Sequence, residues 1–201
     1  MSTHDHPSPP PSRQPSASNP AFDPTEAAEA HLQQFIADVP DWPKPGVVFK
    51  DITPLLRDPA ALAMAVELMA NPYRGKGVGV VAGAESRGFI FGTALAQSLS
   101  VGFVPIRKPK KLPRETHAIE YELEYGTDRL EVHRDAVQPG QRVLLVDDLL
   151  ATGGTMKACC DLMQLLGCEL VGVTCLIELS FLNGRRQITP YEHLLHAVLR
   201  Y

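Results

Sequence analysis

Short, nearly continuous apolar runs alternate with amphipathic stretches through the second half of the chain. Such runs, when turn residues bound them, are typical of strands buried in a parallel sheet. The predicted strands are Val78–Ala82, Val101–Ile106, a weaker and alternating Leu130–His133, Val143–Val146 and Leu170–Glu178. The predicted helices between them are Gly88–Leu99 and Thr155–Leu166. This order predicts an α/β fold with a mostly parallel central sheet flanked by helices.

The first part of the chain predicts two helices joined by a proline-rich connection. Residues 23–26 have the sequence of a capped helix start, and we expect this helix to end before Pro40. Its apolar face would carry Ala28, Leu32, Phe35 and Ile36. The second helix is expected to begin at Asp58 and Pro59, and its apolar side would carry Leu62, Val66 and Met69.

The same pattern predicts one folded domain that follows a tail. Residues 1–24 carry many prolines and serines and almost no large apolar side chains, so we expect them to be disordered. His4 and His6 in this tail are expected to be solvated rather than to bind a metal. Residues 25–201 are predicted to form a single domain, in which the residues from Leu179 onward have no clear assignment.

Composition excludes several classes of function. A net charge of −4 and a pI near 6.0 do not favour general nucleic-acid binding. The apolar runs are too short to cross a bilayer, and the N-terminus lacks the pattern of a secretory signal, so we expect a cytoplasmic protein without a membrane partner. The cysteines lack metal-type spacing and are expected to be buried free thiols; they are Cys159, Cys160, Cys168 and Cys175.

The segment Val143–Thr155, which reads VLLVDDLLATGGT, carries the most chemistry. Asp147 and Asp148 are expected where the apolar strand ends, at the sheet edge where α/β proteins bind ligands. The small-residue turn that follows offers backbone N–H groups to a phosphate, and the carboxylates suit sugar hydroxyls or a Mg²⁺ ion. The segment therefore predicts a site for a phosphorylated sugar. A strand followed by an ordinary turn explains each feature alone, but not their order.

Three further segments are candidates for chemistry. Residues 82–88, AGAESRG, follow a strand and can direct backbone N–H groups and Arg87 at an anion, although an ordinary surface turn explains them equally well when taken alone. The stretch Arg107–Tyr125 begins basic and ends acidic, which fits a solvated loop or a flexible lid over a diphosphate. Residues 40–53, PDWPKPGVVFKDIT, fit a packed connection or a hood in which Phe49 stacks on a flat base.

Together these segments resemble the adenine phosphoribosyltransferases of the type I phosphoribosyltransferase family. The resemblance rests on PDWPKPGVVFKD, AESRGF, VPIRKPKKLPRET, LEYGTD and VLLVDDLLATGGT. It implies the type I phosphoribosyltransferase fold, with a small N-terminal hood over about residues 25–57 and a flexible catalytic lid over about residues 107–125. It also implies a homodimeric purine-salvage enzyme that converts adenine and 5-phosphoribosyl 1-diphosphate into AMP and diphosphate. The reaction would use Mg²⁺ and a ribosyl-cation-like transition state.

The resemblance implies roles for residues that face the phosphates. Asp147 and Asp148 would bind the ribose hydroxyls and lie near the Mg²⁺–diphosphate assembly. The 5′-phosphate would be held by Ala151, Thr152, Gly153, Gly154 and Thr155. The diphosphate would lie on the turn of Glu85 and Ser86, which a cis peptide bond would join, and would contact Arg87, Lys108 and Lys111.

The resemblance also implies roles for residues that face the base. Adenine would lie between Phe49 and Leu179, and main-chain groups of Val48 and Lys50 would recognise its edge. The closing lid would bring Glu124 and Tyr125 to the reaction, with Glu124 managing the proton lost from adenine. Lys50 stands where the family often has Arg, and any two-pronged side-chain contact from that position would be lost.

Two other functions fit parts of the pattern. A non-catalytic regulator would bind phosphoribosyl diphosphate and control transcription, but the short, proline-rich N-terminal extension does not predict a DNA-binding module. An enzyme of the same fold would use a different base. The sequence argues against it less decisively, because base choice depends on main-chain geometry.

Overall fold

A computed structural model describes residues 24–122 and 126–201 of the chain. The first elements are α1 (Pro24–Gln33), β1 (Ala37–Pro40), β2 (Val48–Asp51), α2 (Thr53–Arg57) and α3 (Pro59–Ala70). They are followed by β3 (Val80–Ala84), α4 (Gly88–Ser98), β4 (Gly102–Ile106), β5 (Thr116–Glu122) and β6 (Thr127–His133). The last are β7 (Arg142–Leu150), α5 (Gly154–Leu165), β8 (Glu169–Glu178) and β9 (Leu195–Arg200). Segments of 3₁₀ helix cover Asn71–Tyr73, Ser180–Leu182 and a kinked Gly184–Leu194.

Within the described part of the chain, five strands form the central sheet in the order β4-β3-β7-β8-β9, and every neighbouring pair is parallel. Two antiparallel hairpins, β1–β2 and β5–β6, lie outside it. The chain passes from β3 outward to β4, and from β7 outward to β8 in the opposite direction. The carboxyl ends of β3 and β7 therefore border a topological switch point, which is where open α/β sheets bind ligands.

The core has one layer on each face of the sheet. On one face α3 and α4 bury side chains such as Met69, Phe91 and Leu95. On the other face α5 buries its apolar side, including Met163, together with Leu130 of β6. The α/β class with a mostly parallel sheet is therefore confirmed. Within the described residues, no helix has the length and the apolar character needed to cross a membrane.

Local predictions about the helices and the thiols are also confirmed. Helices α4 and α5 begin and end within one residue of their predicted bounds. Asp58 caps α3, since its carboxylate accepts hydrogen bonds from the N–H groups of Ala60 and Ala61 at 3.0 and 2.9 Å. All four cysteines are free and buried. Burial raises the pKa of the Cys160 thiol to about 12, which fits a packing role.

Other expectations about the elements are wrong. Helix α1 ends at Gln33, and residues Ala37–Pro40 pair with β2 as a strand instead of completing the helix. Residues Thr116–Glu122, expected within a long loop, form β5. This strand is stabilised because Ile119 and Tyr121 pack against the core beside α5. The helix start at Asp23 and the tail lie outside the described residues.

The acidic pair also differs from its expected position. Strand β7 does not end before Asp147 but continues through Asp148 to Leu150. Its pairing with β3 stops at Val146, whereas its pairing with β8 runs on to the register partners Leu150 and Glu178. Hydrogen bonding to β8 alone therefore extends the strand past the last position that β3 covers.

Gly172 of β8 provides a test of the core. A Cβ at this position would lie 2.0 Å from Cε1 of Tyr73, whose ring is buried and whose hydroxyl donates a hydrogen bond to the Val173 carbonyl at 2.9 Å. We expect Gly172→Ala to lower the free energy of unfolding by about 1–3 kcal/mol through overpacking, as measured by urea unfolding. Gly102→Ala in β4 is the control, since its Cβ would approach Val80 no closer than 3.8 Å. Equal losses for the two variants would contradict this account.

Candidate active site

A cavity of about 720 Å³ opens at the carboxyl ends of β3 and β7. The hood residues Trp42 and Phe49 form one wall, and the turn after β3 forms another. The continuous segment Asp147–Met156, which is the end of β7 and the start of α5, forms the floor. The cavity thus lies at the switch point of the sheet, where the sequence predicted a ligand site.

The acidic pair concentrates negative charge in this cavity. Asp148 is buried, and its Oδ2 lies 2.8 Å from Nε of Arg87. Oδ1 of Asp147 accepts a hydrogen bond from the Asp148 N–H at 2.9 Å. Burial, followed by the neighbouring Asp148 charge, raises the pKa of Asp147 well above its ordinary value. Burial also raises the pKa of Asp148, and the Arg87 guanidinium opposes that rise.

The turn before α5 has the geometry of an anion cradle. Gly153 has a φ of +90°, a conformation that glycine adopts at little cost, and α5 begins at the next residue. The first turn of a helix leaves backbone N–H groups without intrahelical partners, and the helix dipole favours negative charge there. Oγ1 of Thr155 lies 3.5 Å from the Tyr121 hydroxyl of the β5–β6 hairpin. The turn can therefore hold a phosphate beside that hairpin.

The turn after β3 forms the second polar wall. The predicted cis peptide bond between Glu85 and Ser86 is confirmed. The Glu85 carboxylate accepts hydrogen bonds from Nε of Arg107 at 3.0 Å and from the Lys108 N–H at 3.1 Å. It therefore ties the end of β4 to the turn, which keeps the cations of residues 107 and 108 beside the cavity.

The hood presents an aromatic wall. The rings of Trp42 and Phe49 meet edge to face with their centroids 4.4 Å apart, and Cζ of Arg87 lies 5.4 Å from the Phe49 centroid. Lys50 points elsewhere, because its Nζ lies 2.6 Å from Oδ1 of Asp38 and 4.0 Å from the Tyr201 ring centroid. A flat ligand would find a ready stacking surface on Phe49.

Most of the predicted site residues meet in this one cavity. Those that line it are Phe49, Glu85, Ser86, Arg87, Lys108, Asp147, Asp148, Ala151, Thr152, Gly153, Gly154 and Thr155. Among the described residues, those predicted for the site that do not line it are Val48, Lys50, Lys111 and Leu179. Leu179 is buried in the core beside α3 and α4. Glu124 and Tyr125 lie outside the described residues.

The sequence did not indicate a site role for Tyr121, Asp128 or Gly184, which shape the cavity. Asp128 holds Nζ of Lys108 at 3.2 Å and accepts a hydrogen bond from the Tyr121 hydroxyl at 3.4 Å. Gly184 packs its backbone against the turn before α5, since a Cβ at Gly184 would lie 2.2 Å from the Ala151 carbonyl oxygen. The alternation of apolar and polar residues around Tyr121 could have indicated a strand. Nothing in the sequence near Gly184 indicated contact with a turn more than thirty residues away.

The fold and the site define an α/β protein with an anion cradle and two adjacent carboxylates at a topological switch point, an arrangement suited to a phosphorylated sugar. The phosphoribosyl transferase domain family matches residues 53–194. The chain is 55% identical over 170 residues to the adenine phosphoribosyltransferase of Rhodopirellula baltica, with 85% of this chain and 82% of that protein covered. The chain therefore belongs to the adenine phosphoribosyltransferases, as the resemblance implied.

Solved structures agree with this assignment. The adenine phosphoribosyltransferase of Thermoanaerobacter pseudethanolicus superposes with a TM-score of 0.83 at 47% identity, covering 86% of this chain and 99% of that one. The Saccharomyces cerevisiae enzyme, solved with adenine and D-2,5-dideoxy-2,5-imino-altritol 1,6-bisphosphate, gives 0.81 at 33% identity, covering 87% and 99%. These comparisons show the type I fold and an enzyme of the pentosyltransferase class.

The oxygen donors of the site suit a metal ion held through a substrate. Within residues 24–122 and 126–201, no group of three or more His, Cys, Asp or Glu side chains could hold a metal ion by itself. Mg²⁺ in phosphate-transfer sites is commonly bound by one or two carboxylates together with substrate phosphates. The Asp147–Asp148 pair fits that arrangement, because it supplies two carboxylates beside the phosphate cradle.

The raised pKa of Asp147 predicts that this carboxylate destabilises the fold at neutral pH. The folded state holds the proton more tightly than the unfolded state, so stability falls as the pH rises from the ordinary Asp range through the raised pKa. We expect Asp147→Asn to raise the melting temperature at about pH 7, and to raise it less at about pH 4.

Thermal unfolding at both pH values measures this effect. Asp135→Asn is the matched control, because Arg114 lowers the pKa of that exposed carboxyl and no gain is expected there. A melting temperature for Asp147→Asn below that of the wild type at neutral pH would contradict the prediction.

Proposed function

We propose that this chain transfers the 5-phosphoribosyl group from phosphoribosyl diphosphate to N9 of adenine, forming AMP and diphosphate in adenine salvage. The observation that carries the proposal is the single cavity in which Phe49, the Asp147–Asp148 pair and the turn before α5 meet. A flat base, a ribose and a 5′-phosphate need these three environments side by side. The proposed enzyme works with Mg²⁺ bound mainly through the substrate diphosphate.

The cationic side chains at the cavity would stabilise the leaving diphosphate. Arg87 and Lys108 line the cavity, and Lys111 would join them in the closed state, although it does not line the cavity here. Breaking the anomeric C–O bond leaves negative charge on the diphosphate, and cations fixed in advance stabilise such charge strongly. Mg²⁺, when bound, would supply further charge compensation to the diphosphate oxygens. Arg87 is already held in place by Asp148.

The acidic pair would act on the ribose. Asp147 and Asp148 would accept hydrogen bonds from its 2- and 3-hydroxyls and offset the positive charge that develops on the sugar ring. Because both carboxylates are desolvated at the end of β7, their field would act on a bound ribose with little screening. Ala151–Thr155 would hold the 5′-phosphate through backbone N–H groups.

The hood and the lid would handle the base. Phe49 would stack on adenine, with Leu179 proposed for the opposite face and main-chain groups of Val48 and Lys50 for the base edge. Glu124, with Tyr125, would take up the proton that leaves adenine as N9 attacks the anomeric carbon. Exclusion of water by the lid over about residues 107–125 would keep water from attacking the cation-like ribosyl group in place of adenine.

The proposal includes a cytoplasmic homodimer. Four buried free cysteines support a reducing compartment. Phe181 and Leu182 expose large apolar side chains, which supports a contact with a second copy of the chain. Light scattering on the purified protein tests the dimer.

Removal of residues 1–22 is expected to leave activity intact, since the tail would be a passive extension.

Diphosphate release tests the proposed reaction. The purified protein is incubated with Mg²⁺, phosphoribosyl diphosphate and one base at a time: adenine, hypoxanthine, guanine, xanthine, orotate or uracil. We expect release with adenine alone. Release with another base would keep the mechanism but overturn the proposed base recognition. Binding of phosphoribosyl diphosphate without release for any base would favour a non-catalytic regulator.

Glu124→Ala tests the proposed proton acceptor. We expect kcat to fall by about a hundredfold or more, the usual range for a general base, while the KM values change little. Steady-state kinetics with both substrates measures the split. Glu120→Ala, an exposed carboxylate on β5, is the control and should behave as the wild type. An unchanged kcat in Glu124→Ala would exclude the catalytic role.

A further inference from the structure

A partly buried ion pair lies outside the residues assigned to the reaction, next to the segment that packs on the turn before α5. Glu178, the last residue of β8, is only 4% exposed. Arg185 meets it with both prongs of its guanidinium, with Nε 2.6 Å from Oε1 and the terminal Nη2 2.7 Å from Oε2. Such two-pronged contacts fix direction as well as distance. A second arginine, Arg200, also approaches this carboxylate, with its Nε 3.5 Å from Oε2 of Glu178.

Arg185 is the neighbour of Gly184, whose backbone touches the phosphate cradle. A Cβ at Gly184 would lie 2.2 Å from the Ala151 carbonyl oxygen, and a Cβ at Gly153 would lie 2.3 Å from the Gly184 carbonyl oxygen. The two main chains therefore pack directly on each other, with no side chain between them. Any movement of the segment around Gly184 would be passed to the turn Ala151–Gly153.

The other end of the ion pair is fixed to the sheet. Glu178 pairs in register with Leu150 of β7 and with Arg200 of β9, so its backbone is held on both sides. The next N–H, that of Leu179, donates to the Leu150 carbonyl at 2.9 Å. The Glu178 carboxylate is therefore attached to a firmly held stretch of backbone. Its register partner Leu150 is the last residue of β7, and the cradle begins at the next residue, Ala151.

We propose that Glu178 and Arg185 form a positioning pair that holds Gly184 against the turn before α5 and thereby sets the geometry of the cradle for the 5′-phosphate. The inference rests on the proposed function of that turn. Such an ion pair contributes little net stability compared with apolar residues of the same size. Its two-pronged contact, in contrast, fixes the direction of the guanidinium as well as its distance. A cradle built mainly from backbone N–H groups needs that constraint, because the direction of those groups depends on the main-chain conformation of the turn.

Binding of AMP compared with adenosine tests the proposal, because the two ligands differ only in the 5′-phosphate. Calorimetry on Arg185→Met is expected to show AMP binding weakened by about tenfold to a hundredfold, the range for displaced positioning groups, and adenosine binding unchanged. Arg185→Lys should recover only part of the loss, since an ammonium group lacks the planar fork. In kinetics, the KM for phosphoribosyl diphosphate should rise while that for adenine does not.

Arg142→Met is the matched control. Arg142 pairs with Glu169 at the opposite ends of the same two strands, β7 and β8, so its removal also breaks an Arg–Glu pair but far from the cradle. AMP affinity should be unchanged in this variant. An equal loss of AMP affinity in Arg142→Met and Arg185→Met would mean that losing any Arg–Glu pair weakens binding by destabilising the fold, and would overturn the proposal.

A double variant covers the case in which Arg185→Met fails to fold because the buried Glu178 carboxylate keeps only its longer contact with Arg200. Glu178→Met/Arg185→Met replaces the pair by apolar side chains, which commonly preserves stability. We expect it to fold and still to bind AMP weakly. Wild-type-like AMP affinity in this variant would overturn the positioning role. If the wild type itself binds AMP no better than adenosine, the assignment of the cradle fails first, and the positioning role with it.

Discussion

Strand β7 has a neighbour on each side as far as Val146, and a neighbour on one side only from Asp147 onward. The hydrogen bonds to β8 keep the strand extended, while the departure of β3 leaves its other edge open. The polar residues of the site depend on this asymmetry, because it brings two carboxylates to the rim of a buried sheet without a covering strand. The chain leaves β3 and β7 in opposite directions, so no connection crosses the resulting crevice.

The electrostatics of the crevice follow from that geometry. Two adjacent carboxylates in a desolvated place repel each other, and the Arg87 guanidinium at 2.8 Å from Asp148 compensates only part of the charge. Lys108 is held by Asp128, and Arg107 by Glu85, so cations stand around the cavity in fixed positions before any ligand arrives. Because burial and mutual repulsion disfavour ionisation of both carboxylates, the site is suited to a ligand that carries positive charge on its sugar and negative charge on its phosphates.

The sequence predicted the parts of the fold that local patterns control. Helices α4 and α5, the parallel sheet and the cradle turn follow from periodicity, glycine placement and apolar runs that lie close together along the chain. The failures arise where tertiary contacts override local preference. Residues 37–40 continue an apolar pattern that fits a helix, but pairing with β2 makes them a strand. The extension of β7 to Leu150 depends on its partner β8, which no local feature of VLLVDDLL reveals.

Sequence patterns identified the motifs that line the cavity, but not the residues that support those motifs. Asp147, Arg87 and the cradle turn carry chemistry in their own sequence, so their types and spacing were sufficient to bring them together. Gly184 and Arg185 lie in a segment with no helical or strand pattern, and their importance comes from contact with Ala151 and with Glu178. A close backbone contact of this kind requires glycine on both sides, but a single glycine in an irregular segment has many explanations. The chemical groups of such a site are therefore visible in one sequence, whereas the contacts that hold them in register become visible only in three dimensions.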